Sequence, residues 1–140
     1  LVGLSAEECA RVGALLDVPE GMHTLEVQGV AKLLRRMVRN LLENARRYGA
    51  AQGQGEDITL SLQRDGRHVV LRVCDRGPGV PAPYRDRIFE PFFRLPGASE
   101  RVGGVGLGLA LVKSIAERHG AQVRCDDRIG GGACFVVRWP

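Results

Sequence analysis

The chain has 140 residues, of which 44% are hydrophobic and 26% charged, and its formal net charge is +4. This composition predicts one globular domain with a sizeable core and excludes a disordered chain. The modest charge, with no basic run interleaved with aromatic residues, argues against a nucleic-acid-binding surface. No apolar stretch approaches the roughly 18 residues of a membrane-spanning helix.

Residues 1–29 give the weakest pattern. Ser5 and Glu8 have the spacing of a capping box and could open a short helix. The segments "VGALLDV" and "HTLEVQ" could each form a strand. The first residues do not have the layout of a signal peptide, and because the chain begins at Leu1 we expect it to be part of a longer protein.

Residues 30–48 form the clearest predicted helix. Apolar side chains recur there at spacings of three and four, and Gly49 is placed to end the helix. These predicted core residues are Leu34, Met37, Val38, Leu41, Leu42 and Ala45.

The rest of the chain alternates strands, loops and one more helix. Residues 58–73 predict a hairpin that turns at Asp65-Gly66, because Ile58, Leu60 and Leu62 alternate with polar residues. Residues 78–96 are rich in turns, with a short helix near residues 85–89. A second amphipathic helix is predicted over residues 107–119, and a second hairpin closes the chain.

The four cysteines contain no C-x-x-C pair and lie mostly in apolar runs. This pattern predicts reduced, buried thiols rather than a zinc site or a disulfide framework.

Three polar residues lie on one edge of the long predicted helix. Asn40, Asn44 and Arg47 fall within about 60° of each other on a helical wheel. Amide oxygens beside a cation suit a hydrated magnesium ion and phosphate oxygens, since hard cations take oxygen ligands. A solvated polar face explains the same pattern equally well.

Asp75 ends an apolar strand and is followed by the turn Gly77-Pro78-Gly79. An ionised carboxylate only accepts hydrogen bonds, so it would attract the exocyclic amine of adenine and repel the carbonyl of guanine. Glycines without side chains would let the base approach the backbone. The alternative is an ordinary strand-ending turn with a solvated aspartate.

The glycines of "GGVGLGLAL" lead into the second helix, whose free amides could bind an anion. The spacing excludes two familiar phosphate loops. Leu109 and Leu111 occupy the places of the third glycine of a G-x-G-x-x-G motif, and Val112 precedes Lys113-Ser114 where a Walker loop needs glycine.

In this order, the stretches resemble the ATP-binding catalytic domain of sensor histidine kinases, within the Bergerat-fold ATPases. "NLLENARRYG" resembles the N box, "DRGPG" the first glycine box, "IFEPFFR" the F box, "GVGLGLAL" the second glycine box and "GGGACF" a looser last glycine box. The resemblance covers residues 30–139. It implies a two-layer α/β sandwich, with a mixed, mostly antiparallel sheet of about five strands covered on one face by about three helices.

The resemblance also implies roles for single residues. Asn40 and Asn44 would hold magnesium and the phosphates, and Arg47 would be the basic phosphate-binding residue; Asn40 and Arg47 would act in catalysis. Phe89, Phe92 and Phe93 would anchor a lid over residues 94–104 while also packing in the core, and Arg94 or Arg101 could reach the γ-phosphate. The implied ATP-binding residues are Asn40, Asn44, Arg47, Tyr48, Asp75, Gly77, Gly79, Val80, Phe89, Arg94, Gly104, Gly106, Leu107 and Gly108.

Position 40 separates the relatives within this fold. A glutamate there is the general base in gyrase-like and mismatch-repair ATPases, and an amide cannot take that proton. Asn40 therefore predicts slow hydrolysis and a kinase that donates phosphate. The alternatives are a nucleotide-sensing module and a relative of the anti-sigma serine kinases or ATPases.

The phosphoacceptor histidine of this family is followed by an acidic residue, whereas His23, His68 and His119 are followed by Thr24, Val69 and Gly120. We therefore expect this chain to bind ATP with Mg²⁺ but not to phosphorylate itself. The implied partners are a histidine-bearing dimerisation domain of the parent protein and, indirectly, a response regulator. We expect a monomeric cytoplasmic domain without nucleic-acid or membrane contact, from a parent that could be a membrane sensor protein.

Overall fold

The computed structural model describes residues 1–19, 27, 29–48, 58–93 and 107–140. Three α-helices and five strands are assigned in this part of the chain. In chain order they are α1 (Val2–Val12), β1 (Leu15–Asp17), α2 (Ala31–Tyr48), β2 (Thr59–Asp65), β3 (His68–Cys74), α3 (Gly108–Arg118), β4 (Gln122–Asp127) and β5 (Ala133–Trp139). Two short 3-10 helices, Ala82–Tyr84 and Arg87–Phe89, lie between β3 and α3.

The five strands form one sheet in the order β1-β2-β3-β5-β4. Only β1 runs parallel to its neighbour, because the crossover between β1 and β2 contains α2. The other pairs are antiparallel, and the predicted hairpin of β2 and β3 turns between Asp65 and His68. The predicted two-layer sandwich with a mostly antiparallel sheet is confirmed.

The helices cover one face of the sheet and enclose the core. All six apolar residues predicted for α2 are buried, at 4% exposure or less. They meet side chains from alternate positions of the central strands, and burial of each such side chain contributes about 1.5–3 kcal/mol. These core residues of the strands include Leu60, Leu62, Leu71, Val73, Phe135 and Val137.

The first helix differs from the prediction. It begins at Val2, so Ser5 is a buried residue inside α1 and not its cap. Glu8 is also buried, and Arg39 of α2 donates to its Oε1 at 2.7 Å. Burial raises the pKa of the Glu8 carboxyl, but the hydrogen bonds and charges of Arg39 and Arg11 outweigh burial and leave that pKa below its usual value. This pair therefore holds α1 against α2 in its ionised form.

The prediction of four reduced thiols is wrong for two of the cysteines. Cys74 and Cys134 are directly opposite each other on β3 and β5, with their Cα atoms 4.1 Å apart, and they form a disulfide. Opposed residues between ladder hydrogen bonds bring their side chains close together, which allows the bond. Cys9 and Cys125 are free and buried, as predicted.

Candidate functional site

Asp75 directly follows β3, and two backbone amides bind its carboxylate. The residue is 4% exposed, and its Oδ1 accepts hydrogen bonds from the backbone amides of Gly77 at 3.0 Å and Ala133 at 3.2 Å. Its own amide donates to the Ala133 carbonyl at 2.9 Å. The amides of Gly77 and Ala133 both bind Oδ1, so Oδ2 is the carboxylate oxygen that a ligand donor would use.

The environment of Asp75 also affects its ionisation. Burial raises the pKa of the carboxyl, and it prevails over the amides of Gly77 and Ala133 and the charge of Arg128, which lower that pKa. Water is largely excluded, so a hydrogen bond from a ligand amine to this carboxylate is electrostatically stronger than it would be in solvent. The arrangement suits recognition of a single donor group.

The glycine turn after Asp75 packs against the β4–β5 hairpin, backbone to backbone. Gly79 has φ 78°, and a Cβ there would lie 3.2 Å from the carbonyl oxygen of Gly132. A Cβ on Gly132 would lie 2.0 Å from the carbonyl oxygen of Asp75. The glycines let two chain segments approach closely and set the position of Asp75.

From the sequence alone, no role was predicted for Gly132 or for the Ala133 amide. Their stretch was recognised only as a loose glycine box. The signal available in the sequence was the run Gly130-Gly131-Gly132 directly before a predicted strand. In the structure all three glycines have positive φ values. Such a run indicates a backbone conformation that residues with a Cβ rarely adopt.

The polar edge of α2 faces the start of α3. Asn40 is half-buried, and its Nδ2 donates to the carbonyl of Gly108, the first residue of α3, at 3.5 Å. This bond uses the Nδ2 of Asn40 and not its amide oxygen. Asn44, one turn later, is half-buried and Arg47 is exposed. Tyr48 ends the helix, and its side chain lies outside the described part of the chain.

The N-terminus of α3 and Asp75 lie at the same end of the molecule. Only residues 119–121 connect α3 to β4, and such a short connection turns the chain back, so the start of α3 is directed towards the Asp127 end of β4. Asp127 is paired with Ala133, whose amide binds Asp75. Leu107 is exposed and precedes α3, and its carbonyl accepts the first intrahelical bond from Leu111 at 3.0 Å. The helix dipole adds a partial positive charge at this end.

The three predicted anchoring phenylalanines have different environments. Phe89 is buried and meets Phe135 edge to face at 6.1 Å between ring centroids. Phe93 lies 6.0 Å from Tyr84, and the Arg87 guanidinium lies 4.8 Å above the Phe93 ring. The prediction that all three pack in the core is wrong for Phe92, which is 69% exposed at φ 65°.

Several predicted residues cannot be placed. Residues 94–106 lie outside the described residues, and they contain the predicted lid and the residues Arg94, Arg101, Gly104 and Gly106. The predicted roles of these residues remain predictions.

Other kinds of site find no support in the part of the chain that is described. No group of three or more histidine, cysteine, aspartate or glutamate side chains could hold a metal ion there. A cavity of about 280 Å³ lies along α3 and the edge strand β4, lined by residues such as Lys113, Glu117 and Arg124, and contains none of the predicted site residues. None of the described helices combines the length and apolarity needed to cross a membrane.

Comparison with known proteins agrees with the fold and with the family resemblance of the sequence motifs. Residues 29–140 match the family described as histidine kinase-, DNA gyrase B- and HSP90-like ATPases. The adaptive-response sensory kinase SasA of Parasynechococcus marenigrum (strain WH8102) is 42% identical over 125 residues, which cover 89% of this chain and 31% of SasA. Sensor protein RstB of Escherichia coli (strain K12) is 44% identical over 110 residues, covering 78% of this chain and 24% of RstB. The chain thus spans about a third or less of these relatives.

Solved structures show the same fold. The mycobacterial sensor histidine kinase MprB superposes with a TM-score of 0.76 at 30% identity, over 99% of this chain and 92% of MprB. Full-length ShkA in complex with AMPPNP superposes with a TM-score of 0.74 at 26% identity, over 99% of this chain and 29% of ShkA. The chain therefore belongs to the histidine kinase-, DNA gyrase B- and HSP90-like ATPase family, as an ATP-binding catalytic domain of the two-component sensor histidine kinase type.

Proposed function

We propose that this chain binds ATP with magnesium and presents the γ-phosphoryl group to a histidine on a separate domain of its parent protein. The observation that carries the proposal is the buried Asp75 carboxylate, which two backbone amides hold by Oδ1. An acceptor fixed in this way selects adenine, whose exocyclic amine is a donor, over guanine, which has a carbonyl there.

The chain offers no base at position 40 for direct hydrolysis. Asn40 is an amide, and its Nδ2 is engaged with the Gly108 carbonyl. Glu43 is the nearest acid on the helix, and it accepts a hydrogen bond from Arg46 at 3.0 Å. This supports a domain that positions ATP for transfer to another group rather than to water.

The histidines of this chain support an acceptor elsewhere. His68 Nδ1 lies 2.9 Å from the Trp139 carbonyl oxygen. His119 uses both ring nitrogens, since Nε2 accepts from the Val30 amide at 3.1 Å and Nδ1 lies 2.7 Å from the Ile115 carbonyl oxygen. Both are in structural contacts, and His23 lies outside the described residues. We infer that the phosphoacceptor belongs to a dimerisation domain of the parent, with a response regulator downstream.

The polar edge of α2 fits a magnesium ion bound with the phosphates. Asn40 and Asn44 supply amide oxygens, which are ligands suited to a hard cation, and Arg47 adds a positive charge one turn further along. Bound magnesium would neutralise the phosphate charge during transfer. The chain's own residues would orient the phosphates between this edge and the N-terminus of α3.

Replacing Asp75 with asparagine is expected to lower ATP affinity by about 10- to 150-fold, the effect of one hydrogen bond to a charged group. Calorimetric titration of the folded variant measures the change. Because burial raises the pKa of Asp75, wild-type affinity should also fall towards acidic pH as this carboxylate takes up a proton, and Asp75→Asn should lack that component. Tripolyphosphate should bind both proteins equally. Unchanged ATP affinity in a folded Asp75→Asn protein contradicts the proposed base site.

Replacing Asn44 with alanine is expected to remove most of the gain in ATP affinity that magnesium provides. Loss of an oxygen ligand should reduce magnesium affinity by at least the roughly 10- to 100-fold seen when a supporting residue is removed. ATP titrations with and without magnesium measure this gain. Arg46→Ala is the matched control, because Arg46 lies on the same helix and its ion pair with Glu43 is exposed. Equal magnesium dependence in wild type and Asn44→Ala argues against the proposed ligand role.

A further inference from the structure

Arg85 connects the glycine turn to the β4–β5 hairpin, and no role was predicted for it. It follows the 3-10 helix Ala82–Tyr84. Its Nε donates to the carbonyl of Val80 at 3.0 Å, and its Nη2 donates to Oδ1 of Asp127 at 2.5 Å. Val80 ends the turn that starts at Asp75, and Asp127 is the last residue of β4. One side chain therefore links both segments.

The same two segments also touch at a second point. Gly79 packs on the Gly132 carbonyl, and that carbonyl accepts the Arg128 amide at 3.0 Å within the hairpin loop. A segment attached at its start alone can still pivot at its far end, whereas attachments at both ends fix its orientation. Asp75 is bound to Ala133 at the start of this segment, and Arg85 adds an attachment at its far end, beside Val80, which packs partly against the core.

The guanidinium has the geometry for this task. Its planar fork donates in two directions at once, to a backbone carbonyl and to a carboxylate, and a lysine ammonium has no such fixed fork. The Arg85 side chain is 29% exposed and the Asp127 side chain 73% exposed. An ion pair so open to water contributes little to overall stability, so its effect should be on the position of the turn.

We propose that Arg85 is a positioning residue for adenine recognition, which holds the turn of residues 77–80 at a fixed distance from the hairpin that orients Asp75. This inference rests on the proposed adenine site at Asp75. The guanidinium does not touch the base; it limits the motion of the backbone against which the base would lie. Without Arg85 the turn would become fixed only when the nucleotide binds, and the entropy cost of fixing it would reduce the affinity for the base. The phosphate contacts would be unchanged.

The test compares ADP with inorganic tripolyphosphate, since only ADP carries the base. Arg85→Ala is expected to lower ADP affinity by about 3- to 30-fold, the range for a residue that acts through its neighbours. Tripolyphosphate affinity and the melting temperature should stay near wild type. Arg85→Lys should recover part of the loss. Arg138→Ala is the matched control, because Arg138 forms a similar exposed ion pair with Asp65, at the opposite end of β3 from Asp75.

Each outcome decides the proposal. Arg85→Ala with wild-type ADP affinity, beside a clear loss in Asp75→Asn, overturns the role of Arg85 and leaves the base site intact. Wild-type ADP affinity in both variants overturns the base site itself. An equal loss of ADP and tripolyphosphate binding shows a general structural defect and also overturns the proposal. Should Arg85→Ala fail to fold, Asp127→Asn keeps the shape, removes the charged partner of Arg85, and should show a smaller loss confined to ADP.

Discussion

Gly132→Ala is expected to destabilise the domain by about 2–6 kcal/mol and to weaken ATP binding in whatever fraction remains folded. The backbone of Gly132 has φ 107°, a conformation that costs an alanine about 1–3 kcal/mol. In addition, the new Cβ would lie 2.0 Å from the carbonyl oxygen of Asp75 and 2.8 Å from its carbonyl carbon. These are backbone atoms that cannot rotate away, so the Asp75 segment must move.

Gly131→Ala is a matched control for the backbone effect. Gly131 has φ 109°, nearly the value of Gly132, but a Cβ there meets no atom within 4 Å. Both variants carry a similar cost for the positive φ, and only Gly132→Ala adds the contact with Asp75. The difference between their free energies of unfolding in urea should be about 1–3 kcal/mol, the cost of overpacking. Gly131→Ala should keep wild-type ATP affinity, and equal losses of stability and affinity in the two variants contradict this account.

The sequence predicted those parts of the fold where burial alone decides the structure. In α2 the apolar side chains repeat with the helical period because one face meets the sheet, so the same pattern marks both the helix and the core. The β2–β3 hairpin was predicted because Leu60 and Leu62 alternate with polar residues before the Asp65-Gly66 turn. In both cases the information lies within a few neighbouring residues.

The first helix could not be predicted in this way. Ser5 and Glu8 match a local capping pattern, but Glu8 instead binds Arg39, which is 31 residues away in the sequence. That contact is formed by the packing of two helices, and a window of neighbouring residues contains no sign of it. Phe92 shows the same limit, since its motif suggests burial and the structure leaves it exposed.

In the candidate site too, features formed by neighbouring residues were predicted and contacts between distant residues were not. Asp75 and its glycine turn were predicted because they are adjacent in sequence and form one recognisable pattern. The Ala133 amide binds Asp75 from 58 residues away, and Arg85 reaches Asp127 from 42 residues away. Only the register of β3, β5 and β4 brings these groups together. The candidate residues of the site could therefore be named from the sequence, whereas the contacts that hold Asp75 and its turn in place could not.

The prediction of reduced thiols was wrong for Cys74 and Cys134 for the same reason, since only the register of β3 and β5 brings them together. Reduction of the Cys74–Cys134 disulfide is expected to lower the free energy of unfolding by about 4 kcal/mol. The bond closes a segment with a sequence separation of 60, and in the chain-entropy model a loop of that length contributes about this much by restricting the unfolded chain. Urea unfolding with and without a dithiol reductant measures the change.

Cys134→Ala provides the control, because it cannot form the bond and its stability should not respond to the reductant. Cys9 and Cys125 are free and buried, so they provide a reference number of thiols for the titration. Burial raises the pKa of the Cys9 thiol to about 11 and that of Cys125 to about 12, so neither should react in the folded protein near neutral pH. Thiol titration in denaturant should then give two thiols before reduction and four after it. Four thiols without reductant, together with equal unfolding midpoints under both conditions, exclude the disulfide as a source of stability.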